Sequence, residues 1–148
     1  MDAEQKRAVN RYSPLTLAFL GDAVYEELVR MRIVEGANVP VGKLHRLSVR
    51  YVCAEFQSAA VRFLSEILTD EERDILRRGR NANGVNIPKH ASAAQYRSAT
   101  GLETLFGYLK LCGEDARIDA LFAQIWDNRE TLAALSDKEP KPEAAPIE

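Results

Sequence analysis

Two acids in this chain stand where acids are costly. Asp22 lies in Leu15–Glu26 (LTLAFLGDAVYE), flanked by Phe19, Leu20, Ala23 and Val24. Glu103 lies in Ser98–Leu109 (SATGLETLFGYL), a second apolar stretch with a lone acid. An unpaired carboxylate inside an apolar helix carries a desolvation cost. The sequence therefore predicts a compensating partner, either a buried arginine or a divalent cation. Two carboxylates with water and phosphate oxygens suit Mg²⁺, which seldom receives an all-protein cage. Such a site activates water for phosphodiester hydrolysis.

Glycine strengthens the reading. Gly21 and Gly101 stand close to the two acids. Glycine inside a helix costs about 1 kcal/mol relative to alanine, so it points to close approach by a backbone or ligand. Two helices meeting at such glycines would aim both acids at one point. Ala18, Asp22 and Glu26 are four apart and share a stripe, which makes Glu26 a candidate third ligand. An exposed Glu26 paired with Arg30 is the equally simple alternative. Thr100, one turn before Glu103, offers a hydroxyl to the outer coordination sphere.

The elements that must position these residues read as helices throughout. Ser13-Pro14 is a helix start, and the helix is expected to run to about Val34 with Gly36 as its stop. Its apolar residues Leu15, Phe19, Leu20, Ala23, Val24, Leu28, Val29 and Ile33 predict a wide buried face. Further helices follow from Pro40 or Val41, then CAEFQSAAVRFLSEIL with little break, then a segment opened by the capping box Thr69–Glu72. Ser92 caps the helix carrying Glu103, and a last helix covers Asp115–Leu135. No alternating strand pattern or internal repeat occurs. The prediction is an all-α bundle of six or seven helices over residues 1–135, with residues 1–11 only partly helical and 136–148 a disordered tail.

The chain has 148 residues and a net charge of −2, which does not advertise nucleic-acid binding. The distribution says more. Arg73, Arg77, Arg78, Arg80, Lys89 and Arg97 face only Asp74 in their segment, a balance of +5, with His90 added. A local basic patch can hold phosphates on a mildly acidic protein. Arg77, Arg78, Arg80, Lys89, His90 and Arg97 are the phosphate-contact candidates, with Asn81, Asn83 and Asn86 beside them, and become RNA-contact candidates under the resemblance described below. The plain alternative is a solvated helix end favoured by its dipole. Lys43, His45 and Arg46 form a weaker patch. Cys53 and Cys112 have no metal or disulfide spacing, the two histidines form no ligand pair, and no nucleophilic triad is evident. With neither a signal-peptide pattern at the N-terminus nor an apolar run of membrane-spanning length, a cytoplasmic protein is expected.

FLGDAV at Phe19–Val24, followed some eighty residues later by ATGLETLFGYLKL at Ala99–Leu111, resembles the ribonuclease III catalytic domain. The likeness spans about Ser13 to Ala134. With YEELVR, RRGRNA and no double-stranded-RNA-binding domain after it, the chain resembles the Mini-ribonuclease III family. The resemblance implies a two-fold homodimeric, Mg²⁺-dependent endonuclease acting on double-stranded RNA. It also implies maturation of precursor 23S ribosomal RNA ends, products with 5′ phosphates and 3′ hydroxyls, and staggered 3′ overhangs. Asp22 and Glu103 match the family's metal-binding and catalytic acids. Phe19 matches an aromatic residue at the dimer interface. A ribosomal protein bound to the substrate is a further candidate partner.

Two positions depart from the larger relatives. Ala18 and Thr100 stand where the usual motifs carry acids, so the resemblance implies a weaker site needing Mg²⁺ in the millimolar range. The same departures leave open a catalytically weak RNA-binding or ribosome-assembly module. A helical dimer that recognises only protein is a third possibility.

Overall fold

The computed structural model describes residues 1–82 and 91–138. Eight helices occupy them: α1 (Ala3–Asn10), α2 (Pro14–Gly36), α3 (Val41–Val52), α4 (Ala54–Leu64), α5 (Asp70–Arg80), α6 (Ala93–Leu111), α7 (Asp115–Asp127) and α8 (Arg129–Lys138). The helix starts are local chemistry. Ser13 Oγ accepts from the Thr16 amide at 3.2 Å, with Pro14 at the first helical position. Thr69 with Glu72, and Ser92 with Gln95, each form a reciprocal capping box. Gly113, at φ +70°, ends α6 in the left-handed conformation that glycine adopts freely.

The core is wrapped around α6. Its Leu102, Leu105, Phe106, Tyr108 and Leu109 are buried, and α1, α2, α4, α5 and α7 all pack against it. Tyr25 of α2 is fully buried, its ring 5.9 Å from Phe106 and 5.8 Å from Phe122 between centroids. Its hydroxyl donates to the Tyr51 carbonyl at 2.6 Å. That bond satisfies the one polar atom of an otherwise apolar contact.

The all-α reading holds, with more helices than the six or seven expected. The N-terminal residues form a complete helix because Asp2 and Gln5 make a capping box. The expected last helix divides at Asn128, and α8 continues through residues assigned to the tail. Ser136 is buried there, its hydroxyl 2.8 Å from the Leu132 carbonyl. Residues 139–148, the rest of the expected tail, lie outside the described residues. Gly36 is the last residue of α2 rather than a stop beyond it; the chain leaves in extended conformation at Ala37.

The buried stripe of α2 also differs from expectation. It is Leu17, Gly21, Tyr25, Val29 and Ile33, while Phe19 is 84% exposed and Ala23 is exposed. The physical reason is the glycine. α6 lies directly over Gly21, and residues four apart from it fall beneath α6, which turns Phe19 away.

Candidate active site

The site is built where α2 crosses α6. A Cβ on Gly21 would strike the Glu103 carbonyl, and one on Gly107 would strike the Leu17 carbonyl. The two backbones therefore touch. Asp22, beside Gly21, and Glu103, one turn before Gly107, emerge at the same edge of that crossing. The sequence expectation named Gly101 as the second glycine; the contact is made by Gly107 instead. Gly101 serves the opposite side of α6, where its added Cβ would lie 2.7 Å from the Leu76 carbonyl of α5.

Glu103 is half-buried and Asp22 is exposed. The expectation of a buried Asp22 is thus corrected: Gly21 faces the core and its neighbour points outward. Glu103 carries the electrostatic strain. Its carboxyl is pushed up to about 9, by burial first, then by the hydrogen bond to Asp22 and the charges of Asp22 and Glu26. Among the described residues, neither Asp22 nor Glu103 has a lysine or arginine ion-pair partner. A carboxyl that burial and a neighbouring acid hold in its protonated form, with no counter-charge beside it, is what a divalent cation relieves. The donor set fits a hard divalent cation such as Mg²⁺, which Asp22 and Glu103 would hold from this edge of the crossing. No group of three or more histidine, cysteine or acidic side chains forms a cage among the described residues. Water and phosphate oxygens must complete any coordination sphere.

Glu26 has two neighbours. Its charge reaches Glu103, and its carboxylate pairs with Arg30 at 3.5 Å. Thr100 is buried, and its hydroxyl donates to the Tyr96 carbonyl at 3.1 Å. That bond uses its proton inside the helix and leaves its oxygen as acceptor only.

The region matching the Ribonuclease III domain covers residues 15–114. The chain is 50% identical over 105 residues to the Mini-ribonuclease 3 of Symbiobacterium thermophilum, covering 71% of this chain and 81% of that one. It is 47% identical over 113 residues to the Mini-ribonuclease 3 of a Thermoanaerobacter species, covering 76% and 80%.

The chain belongs to the Mini-ribonuclease III family.

A crystal structure of a Fusobacterium nucleatum protein superposes with a TM-score of 0.72 at 28% identity, over 80% of this chain and 95% of that one. The fold is thus the ribonuclease III-like helical bundle. The acid-bearing stretches of this chain, 15–26 and 98–109, both fall inside the matched domain.

Two of the basic candidates have partners within the chain. Arg77 pairs with Asp74, and Arg78 reaches Asn10, with Nη1 3.4 Å from Oδ1. Arg80 and Arg97 are exposed. Lys89 and His90, with Asn83 and Asn86, lie outside the described residues. Arg77 is tied within α5 by an i,i+3 pair, and Arg78 reaches α1 because α5 docks closely on α6 through Gly79 and Gly101 and brings its last turn beside α1.

Two residues at the site escaped the sequence reading. Tyr96 is half-buried and close enough to Glu103 and Asp22 for their charges to raise its hydroxyl, though burial is the larger cause. Gly107 makes the crossing. Both share a stripe with Glu103, since Tyr96, Thr100, Glu103 and Gly107 are spaced four, three and four apart. Following that spacing outward from Glu103 would have found them.

Proposed function

We propose that this chain is a Mg²⁺-dependent endoribonuclease that acts as a homodimer on double-stranded parts of precursor RNA. Its substrate is precursor 23S ribosomal RNA, whose 5′ and 3′ ends it matures in the cytoplasm. The observation that carries the reading is the meeting of Asp22 and Glu103 at the α2–α6 crossing, without a counter-charge among the described residues.

Asp22 and Glu103 would hold the cation. When bound, it supplies the Lewis acidity that activates water and stabilises the departing 3′ oxygen. Glu103 must release its proton for this, so cation binding and deprotonation are coupled. The half-buried position of Glu103 fixes its carboxylate, while the exposed Asp22 faces incoming RNA. Arg80 and Arg97, joined by Lys89, His90 and the partly tied Arg77 and Arg78, would contact phosphates of an A-form duplex, which is read by shape rather than by base edges. Phe19 is the dimer contact in this reading. Its ring is 84% exposed on an apolar part of α2. A two-fold dimer gives two sites on opposite strands, as a staggered double cut requires. A ribosomal protein on the substrate is a further partner in this proposal.

Thr100 favours a second reading. Where larger relatives carry an acid, it offers a buried hydroxyl already donating within its helix. A catalytically weak RNA-binding or ribosome-assembly module on the same helical dimer would tolerate that loss. One experiment separates the two. Structured precursor rRNA is incubated with Mg²⁺ and wild type, Asp22→Asn or Glu103→Gln protein. Cleavage by wild type alone supports the nuclease. Binding by all three without cleavage supports the module and overturns the nuclease.

A further inference from the structure

Beyond the acid pair, a groove of about 400 Å³ opens between the C-terminal end of α2, α3 and the α7–α8 junction. Arg32, Glu35, Leu47, Tyr51, Trp126 and Arg129 are among its lining residues. The volume is in the range of small-ligand sites. One wall is a layered aromatic stack. Tyr51 meets Trp126 edge-on at 5.0 Å between centroids, and Trp126 stacks with Phe122 at 6.0 Å. The Arg129 guanidinium carbon lies 4.5 Å from the Trp126 ring centroid. Arg129 Nη1 also donates to the Trp126 carbonyl at 2.9 Å, so the guanidinium is fixed twice. On the α2 wall, Arg32 is half-buried and has no carboxylate partner among the described residues.

These features make complementary demands. A fixed guanidinium plane beside aromatic rings is a stacking surface for a flat, electron-rich ring. An arginine without a partner, a short span away, suits a phosphate. Glu35 in the same lining disfavours a bare polyanion but can accept a hydrogen bond from an amino group. A nucleobase with its phosphate meets all three conditions; an apolar peptide would leave Arg32 and Glu35 unsatisfied. The groove is also tied to the acid pair. Tyr25, one turn from Asp22, donates its hydroxyl to the Tyr51 carbonyl at 2.6 Å. Arg32 follows Asp22 by about 15 Å along the same helix, a distance that a few nucleotides span.

We propose that this groove binds an unpaired nucleotide of an RNA strand, with the base stacked at Arg129, Trp126 and Tyr51 and a phosphate on Arg32. The assignment deepens the nuclease reading and rests on it: the nucleotide belongs to a single-stranded flank of the duplex that is cut.

Trp126 is the sole tryptophan, so its emission reports the groove. The full chain carrying Asp22→Asn, in EDTA, is titrated with single-stranded hexa-adenylate. The expected result is a saturable change in emission that weakens with salt. Adding Arg32→Ala should raise the half-saturation concentration about tenfold at an unchanged melting temperature, and Arg32→Lys should restore part of the loss. Adenosine monophosphate should bind about tenfold more weakly than the hexamer, and inorganic polyphosphate should leave the emission unchanged. Four results would each overturn the assignment: no emission change at millimolar hexamer, the same change with polyphosphate, undiminished affinity in the folded Arg32→Ala protein, or the monophosphate binding as tightly as the hexamer. Failure of the nuclease reading shows separately, as wild type leaving duplex RNA uncut in Mg²⁺ while the titration succeeds.

Discussion

Gly21 of α2 and Gly107 of α6 oppose one another so closely that neither position has room for a methyl group. The acid pair depends on this contact, because a wider crossing would part Asp22 from Glu103. Gly21→Ala and Gly107→Ala should each cost about 3 kcal/mol or more, since backbone rather than a flexible side chain must move. Gly36→Ala is the control. Nothing lies within 4 Å of its added Cβ, and the change should be neutral or stabilise by about 0.5 kcal/mol. Urea unfolding monitored by circular dichroism checks all three.

Glu103 gives the protein a stability that depends on pH and metal. Its folded-state affinity for protons is raised to about 9, chiefly by burial and then by Asp22. With its folded value above its unfolded one, the metal-free protein is favoured below the unfolded value and loses stability as pH rises toward 9. Glu103→Gln should remove this slope and raise the melting temperature of the metal-free protein at pH 8 by about 3 °C or more, while abolishing cleavage. Wild type should need Mg²⁺ on the order of millimolar for full rate, because among the described residues no cage of three or more acids forms around Asp22 and Glu103. Full activity at micromolar Mg²⁺ would contradict a two-carboxylate site.

Phe19 tests the dimer without disturbing the protomer. Because its ring is 84% exposed, Phe19→Glu should change protomer stability by no more than about 0.5 kcal/mol. Sedimentation should nevertheless show a monomer, and double-strand cleavage should fall at least tenfold. A Phe19→Glu protein that remains dimeric would remove Phe19 from the interface.

Acid stability should depend on Glu72. Burial raises its carboxyl, but the hydrogen bonds and charge of Arg117 and the Thr69 cap outweigh that and hold it below its usual value. Arg117 Nε and Nη2 donate to the two carboxylate oxygens, each at 2.9 Å. A lowered folded value gives stability that is present above the unfolded value and lost as pH falls through the folded one. Arg117→Ala should cost about 2 kcal/mol at pH 7 and less below pH 4, measured by urea unfolding at each pH.

Helix starts were legible in the sequence because they rest on local chemistry: Ser13, Thr69 and Ser92 each cap where a short pattern says they should. The pairing of Asp22 with Glu103 was legible too, because each acid interrupts an apolar run. What the chain order does not encode is which face of α2 meets α6. Phe19 and Leu17 are both apolar, and only the partner glycine, Gly107, decides that Leu17 is buried and Phe19 exposed. The arginines show the same limit. Their charge was readable, but the engagement of Arg78 with Asn10, sixty-eight residues away in sequence, exists only in the fold. The groove at Trp126 and Arg129 went unread because its walls come from four helices.

Asp22 and Glu103 belong to one chain, so each protomer assembles its acid pair without help from a neighbour. In the proposed dimer, the two strands of a duplex are therefore cut by separately encoded centres. A mixed dimer of one wild-type subunit and one Asp22→Asn subunit would be a nickase, opening one strand and releasing RNA whose other strand is still continuous.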